Sequence, residues 1–172
     1  FFTTIAIVFV SIQKYLSGTK AVKGWRFGIA FGVLTFLAII EMNIVFDSPI
    51  LNELRGGAAD GASLVLLAVM LSLTTGTNSS NIKQQNRLSW KPFVLVPLFF
   101  LVGRYFSYAL VHILSAYTQK PWITFFWTLG IGIWMSVMYQ LLREVRNDIP
   151  AVIRAIRFGC LTFGSYWLIY NL

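Results

Sequence analysis

PFVLVPLFFLVGRYFSYALVHILSAY, residues Pro92–Tyr117, decides how the chain is read. A helix needs about 20 apolar residues to cross a hydrocarbon core of about 30 Å. This stretch is long enough, yet it carries Arg104 near its middle. A cation at that depth costs ~3 kcal/mol or more on insertion scales, so it needs a partner or a water-filled cavity.

Five further apolar runs accompany it, over residues 1–17, 27–47, 58–76, 122–142 and 151–172. The 172 residues are 57% hydrophobic and 12% charged, with a mean hydropathy of +0.71. An ordinary soluble domain is about 25% charged. The expected fold class is therefore all-α: a single polytopic transmembrane helical bundle of about six spans, without a sheet. A transmembrane barrel does not fit, because the apolar residues come in blocks and not in alternating strands. No internal repeat marks a second domain. The chain opens on Phe1 and not Met, and its first run is short for a span, so the native start is expected upstream.

Local signals fill in the helices. Pro97 predicts a kink in the Arg104 helix and a freed carbonyl near Phe93. Gly28 and Gly32 form a G-x-x-x-G pattern, which lets a neighbouring helix approach closely. Asp47-Ser48-Pro49 stops the second run, because proline and the residue before it disfavour helix. Residues 47–60 then read as an acidic loop carrying Asp47, Glu53 and Asp60 with Arg55 and the Gly56-Gly57 pair. GTNSSNIKQQNRLSWK, at 76–91, is the most polar stretch and the clearest loop.

The net charge is +8, but the cations gather in turns and are not spread as a nucleic-acid footprint. Eleven of the 14 Lys and Arg fall in the odd-numbered turns: Lys14, Lys20, Lys23 and Arg26; Lys83, Arg87 and Lys91; Arg143, Arg146, Arg154 and Arg157. The even turns hold only Arg55 and Lys120. Positive charge retains loops in the cytoplasm. Turns 14–26, 77–91 and 143–157 are therefore expected there, in an integral protein of the cell (plasma) membrane. Arg143, Arg146, Arg154 and Arg157 could also attract anionic lipid head groups.

Topology fixes depth. Glu41 lies about 14 residues, or ~21 Å, from the cytoplasmic end of the second run. Arg104 lies about 12 residues, or ~18 Å, from the same end of the fourth. Opposite charges at one level are expected to pair. Arg104, Tyr108 and His112, spaced i, i+4 and i+8, share one helix face, and Ser115 is close to that stripe. His112 and Asp60 are expected near the outer surface.

Two readings of this polarity stand side by side. In one, an outward-opening cavity lined by Glu41, Asn43, Asp60, Arg104, Tyr108 and His112 binds, senses or helps transport a small solute or ion. In the other, Glu41 and Arg104 form a packing ion pair in a structural or accessory subunit of a larger membrane complex. The partners expected are the lipid bilayer and either another membrane protein or further copies of the chain, with no nucleic acid.

Catalysis finds little support. One histidine and one cysteine, Cys160, leave no zinc set, no bis-histidine haem site and no internal disulfide. No glycine-rich phosphate loop follows a strand. The acidic 47–60 segment matches no calcium-loop spacing. No cofactor and no metal are expected, and the function is expected to be non-enzymatic.

Overall fold

In the computed structural model the chain is helical, and no sheet occurs among the described residues. These are residues 2–76, 78, 90–112, 118–142 and 150–170. The helices are α1 (Phe2–Ile12, followed by a 3-10 turn Gln13–Tyr15), α2 (Lys20–Phe46), α3 (Ile50–Thr75), α4 (Lys91–Val111), α5 (Pro121–Leu141) and α6 (Ala151–Tyr170). Ser115, Lys83, Arg87, Arg143 and Arg146 lie outside the described residues, as do most of loop 76–91 and part of turn 143–157.

Four helices, α2 to α5, are long and apolar enough to cross a membrane. Four of the six expected spans meet that length and composition among the described residues. The apolar N-terminal segment Phe2–Tyr15 is too short. α6 carries Arg154 and Arg157 in its first two turns.

The boundary between α2 and α3 also differs from expectation. Residues 47–60 are not a loop, because α3 begins at Ile50. Asp47 closes α2 in the left-handed conformation (φ 55°), and Pro49 occupies the N-cap of α3, where its missing N–H loses nothing. Glu53 falls in the first turn, the favourable end of the helix dipole for a carboxylate. Gly56 and Gly57, expected in the loop, are part of the helix.

α2 is the hub, packing against α3, α5 and α6, while the N-terminal segment lies chiefly on α3. Its contact with α3 is the most extensive among the described residues, and glycine makes it possible. A Cβ on Gly24 would sit 2.8 Å from Val69 Cα, one on Gly28 2.8 Å from Val65 Cα, and one on Gly32 2.7 Å from the Gly61 carbonyl oxygen. Gly61 faces the Gly32 carbonyl at 2.8 Å in return. The seam thus runs one turn beyond Gly28 and Gly32 on α2 and enlists α3's glycines. In lipid such close backbone approach is a main source of helix association, since apolar side chains find equal company in the acyl tails.

The remaining joints are specific. Phe9 of α1 meets Phe27 edge-on at 5.0 Å, and Phe27 leans on Phe31 at 4.5 Å. α5 is tied to α2 by Trp134 Nε1, which donates to the Ala30 carbonyl at 3.0 Å. It is tied to α4 by Ser136 Oγ, donating to the Pro92 carbonyl at 2.9 Å, and by Gly132, whose Cβ would lie 2.7 Å from Pro97 Cα. Tyr139 and Phe158 bring α6 beside the end of α5.

The two ends of the bundle are fastened differently. At the basic end, Ser72 Oγ donates to the Lys20 carbonyl (2.5 Å), Gln13 Nε2 reaches Thr75 (3.4 Å), and Arg26 Nη1 reaches back to Ser17 (3.2 Å). Lys23, expected in a turn, is fully buried within α2. At the opposite end Lys120 and Asp47 form an ion pair.

Candidate functional site

The site begins with the spacing on α4. Its buried residues are Pro97, Phe100, Arg104 and Tyr108, a single stripe, while Leu98, Phe99, Val102, Phe106 and Leu110 face outward. A helix so thinly covered brings few side chains inward, and two of the four are polar. Across from them α2 presents Glu41, on the same helix face as Phe27, Leu34 and Ala38.

Arg104 Nη2 donates to Glu41 Oε1 at 2.5 Å. Arg104 Nε donates to the Tyr108 hydroxyl oxygen at 2.6 Å, and that hydroxyl donates to the same Glu41 oxygen at 3.1 Å. The three groups therefore close a ring. Glu41 is 1% exposed, Tyr108 6% and Arg104 8%. The guanidinium is further flanked by the Phe100 and Tyr108 rings, 5.6 and 5.1 Å from its carbon, the arrangement in which a cation meets the negative face of a π-system. Charge-assisted hydrogen bonds of this kind are about twice as strong as neutral ones.

Of the six residues named from the sequence, the structure joins these three, Glu41, Arg104 and Tyr108, and separates the rest. Asn43, two residues beyond Glu41 near the end of α2, donates through Nδ2 to the Ser48 carbonyl and so secures the α2–α3 turn. His112 takes a left-handed conformation (φ 56°) as the C-cap of α4 and is exposed. The helix ends there, so the i, i+4, i+8 face stops at Tyr108. Asp60 is exposed on α3. The pairing of Gly32 with Gly61, and of Gly57 with Phe36, sets it deeper than Glu41 by about 8 residues, or ~12 Å. It does not share a level with His112.

Phe100 was not singled out from the sequence. It lies one turn before Arg104 on the same stripe, so the i−4 spacing was the available signal. Thr124 and Thr128 of α5 were also missed. Both are buried, and their hydroxyls, like Trp127 Nε1, have no hydrogen-bond partner. The Gly132–Pro97 and Ser136–Pro92 contacts set Thr124 at about the level of Arg104. Among the described residues no three His, Cys, Asp or Glu side chains gather as a metal site.

No family model, curated protein or solved structure matches the chain.

Proposed function

We propose that the chain is a non-enzymatic, membrane-embedded helical module, a structural or accessory subunit of a larger membrane complex. In it Glu41, Arg104 and Tyr108 act as an internal lock between α2 and α4. The observation that carries this reading is the closed hydrogen-bond ring. Each charge is answered by the other, and Glu41 is buried. A solute would have to break the ring to enter it. The broad apolar faces of α3 and α4, such as Leu66, Met70 and Leu73 or Phe99, Phe106 and Leu110, suit lipid or neighbouring helices. The basic end is proposed to face the cytoplasm of the cell membrane, with Arg154 and Arg157 near anionic head groups.

A second reading, binding or transport of a small solute or ion, is favoured by one observation: the unpartnered hydroxyls of Thr124 and Thr128. Buried polar groups without partners are uncommon and need an explanation.

Glu41→Gln with Arg104 intact separates the two. Loss of the folded, monodisperse protein supports the lock. A folded protein that has lost solute binding supports the site. Membrane crossing is tested by single cysteines in a Cys160→Ser background. Ser48→Cys and Asn78→Cys should react with an impermeant maleimide from opposite faces of sealed vesicles.

A further inference from the structure

Several helical hydroxyls of this chain return a bond to their own backbone. Ser11, Ser63, Thr75 and Ser107 each donate to the carbonyl four residues earlier, at 2.8–2.9 Å. Thr124 and Thr128 of α5 do not. They are 1% and 0% exposed, and neither hydroxyl has a hydrogen-bond partner. Two registers place them. The Gly132–Pro97 and Ser136–Pro92 contacts show α5 running antiparallel to α4. Counted outward from Gly132, Thr128 comes level with about Leu101 and Thr124 with about Tyr105. On α2, the Trp134–Ala30 bond and the Lys120–Asp47 pair bracket Thr124 and set it against about Glu41. Thr128, Gly132 and Ser136, four residues apart, share the face of α5 that lies on α4, and Thr124 continues it. The two hydroxyls thus stand on the face that meets the Pro97, Phe100, Arg104 and Tyr108 stripe, at the height of the ring.

We infer that Thr124 and Thr128 hold internal water that bridges α5 to the ring of Glu41, Arg104 and Tyr108. This rests on the reading of that ring as a lock. A hydroxyl both donates and accepts. Buried water typically makes about three hydrogen bonds to polar groups that otherwise lack partners. The hydroxyls supply two, and the ring opposite supplies charged donors and acceptors. A neutral occupant fits the site because the guanidinium and carboxylate already cancel. An ion would bury net charge at the same depth. The water also has mechanical work to do. α5 is joined to α4 at Gly132 and Ser136 and to α2 at Trp134, all in its basic half. Water at Thr124 and Thr128 ties the stretch between those joints and the Lys120–Asp47 pair, so the lock holds three helices and not two.

The test places the full chain in phosphatidylcholine nanodiscs and exposes it to X-ray radiolysis, in which bound water oxidises the side chains beside it. Phe9 and Phe27, buried away from the ring, serve as dry controls. Tyr108 and Phe100 should be oxidised faster than these, and the combined Thr124→Val and Thr128→Val variant should bring them down to the control rate. Oxidation of Tyr108 no faster than of Phe27, or unchanged by the two substitutions, overturns the inference. Valine keeps the shape of threonine, so the sign of the stability change is a second measurement. Each substitution should raise the unfolding constant in dodecyl sulfate by ~5-fold where the hydroxyl is bridged. A constant that stays level or falls overturns the inference, since the hydroxyl then bonds nothing. So does a wild-type melting temperature that differs among sodium chloride, choline chloride and sodium gluconate at one ionic strength while that of the double variant does not, because the occupant is then an ion. Glu41→Gln in the same titration keeps the failures apart. If it unfolds the chain while the valine variants are unharmed, the bridging water alone is lost; if it is harmless, the lock beneath the inference fails.

Discussion

The ring of Glu41, Arg104 and Tyr108 predicts an asymmetric double-mutant cycle. Glu41→Leu leaves the guanidinium buried beside two aromatic rings with no anion, and arginine cannot shed its proton. Breaking a buried pair this way costs about 3–5 kcal/mol. Arg104→Met leaves a carboxyl instead, which can be neutralised by taking up a proton. Both single variants should therefore be strongly destabilised, Arg104→Met less so because its stranded group can be neutralised. The double variant removes both charges and strands only the Tyr108 hydroxyl, worth about 1–3 kcal/mol. Its cost should therefore fall well below the sum of the singles, with a coupling of ~3 kcal/mol or more.

Unfolding of purified protein by sodium dodecyl sulfate in mixed micelles, followed by helical circular dichroism, measures all four corners. A Glu41→Leu cost under ~1 kcal/mol, or a double variant as damaged as the sum of the singles, would refute the closed pair.

Three further outcomes follow from the geometry. Gly28→Val should destabilise the α2–α3 pair by at least ~2 kcal/mol, because its Cβ starts 2.8 Å from Val65 Cα, while Gly56→Ala, in open space, should be neutral or gain up to ~1 kcal/mol; the same micelle titration compares them. His112→Gly should raise stability by ~1 kcal/mol, since the position is left-handed and exposed; a loss would mean that the imidazole makes a contact its capping geometry does not explain. Lys120→Ala should cost no more than ~1 kcal/mol by thermal melting in detergent, because the Asp47 side chain opposite is 69% exposed.

The Glu41–Arg104 contact was legible because both residues interrupt apolar runs that start from cation-rich turns expected on one side. Counting residues from those turns sets both depths without any knowledge of packing. Asp60 was not legible in the same way. Its depth was counted from a loop read to follow the Asp47-Ser48-Pro49 stop, whereas Pro49 caps α3 and Gly57 is pressed against Phe36. A glycine pair reads as a break when its neighbours are unknown and as a seam once a helix is laid against it. Lys23 misled for a related reason. Its charge assigns it to a turn, but α2 starts at Lys20, which draws the side chain into the bundle.

The lock and the glycine seam divide the work of holding the four long helices. Between lipid-facing helices, apolar contact adds little net attraction, so register must come from close backbone approach or from polar joints. α2 and α3 have the first along most of their length. α4 and α5 have it at Gly132 and Pro97, with Ser136 bonding the Pro92 carbonyl. What joins one pair to the other is sparser. Trp134 bonds the Ala30 carbonyl toward the basic end, and the Glu41 ring closes the opposite half. Two joints at different heights fix both rotation and slide of one pair against the other, where a single joint would leave a pivot. α4 depends on this most, because Phe100, Arg104 and Tyr108 are nearly all that it buries. Without the carboxylate its remaining anchor is α5. The charge at the centre of Pro92–Tyr117 is thus the feature that gives this edge helix a defined place in the bundle.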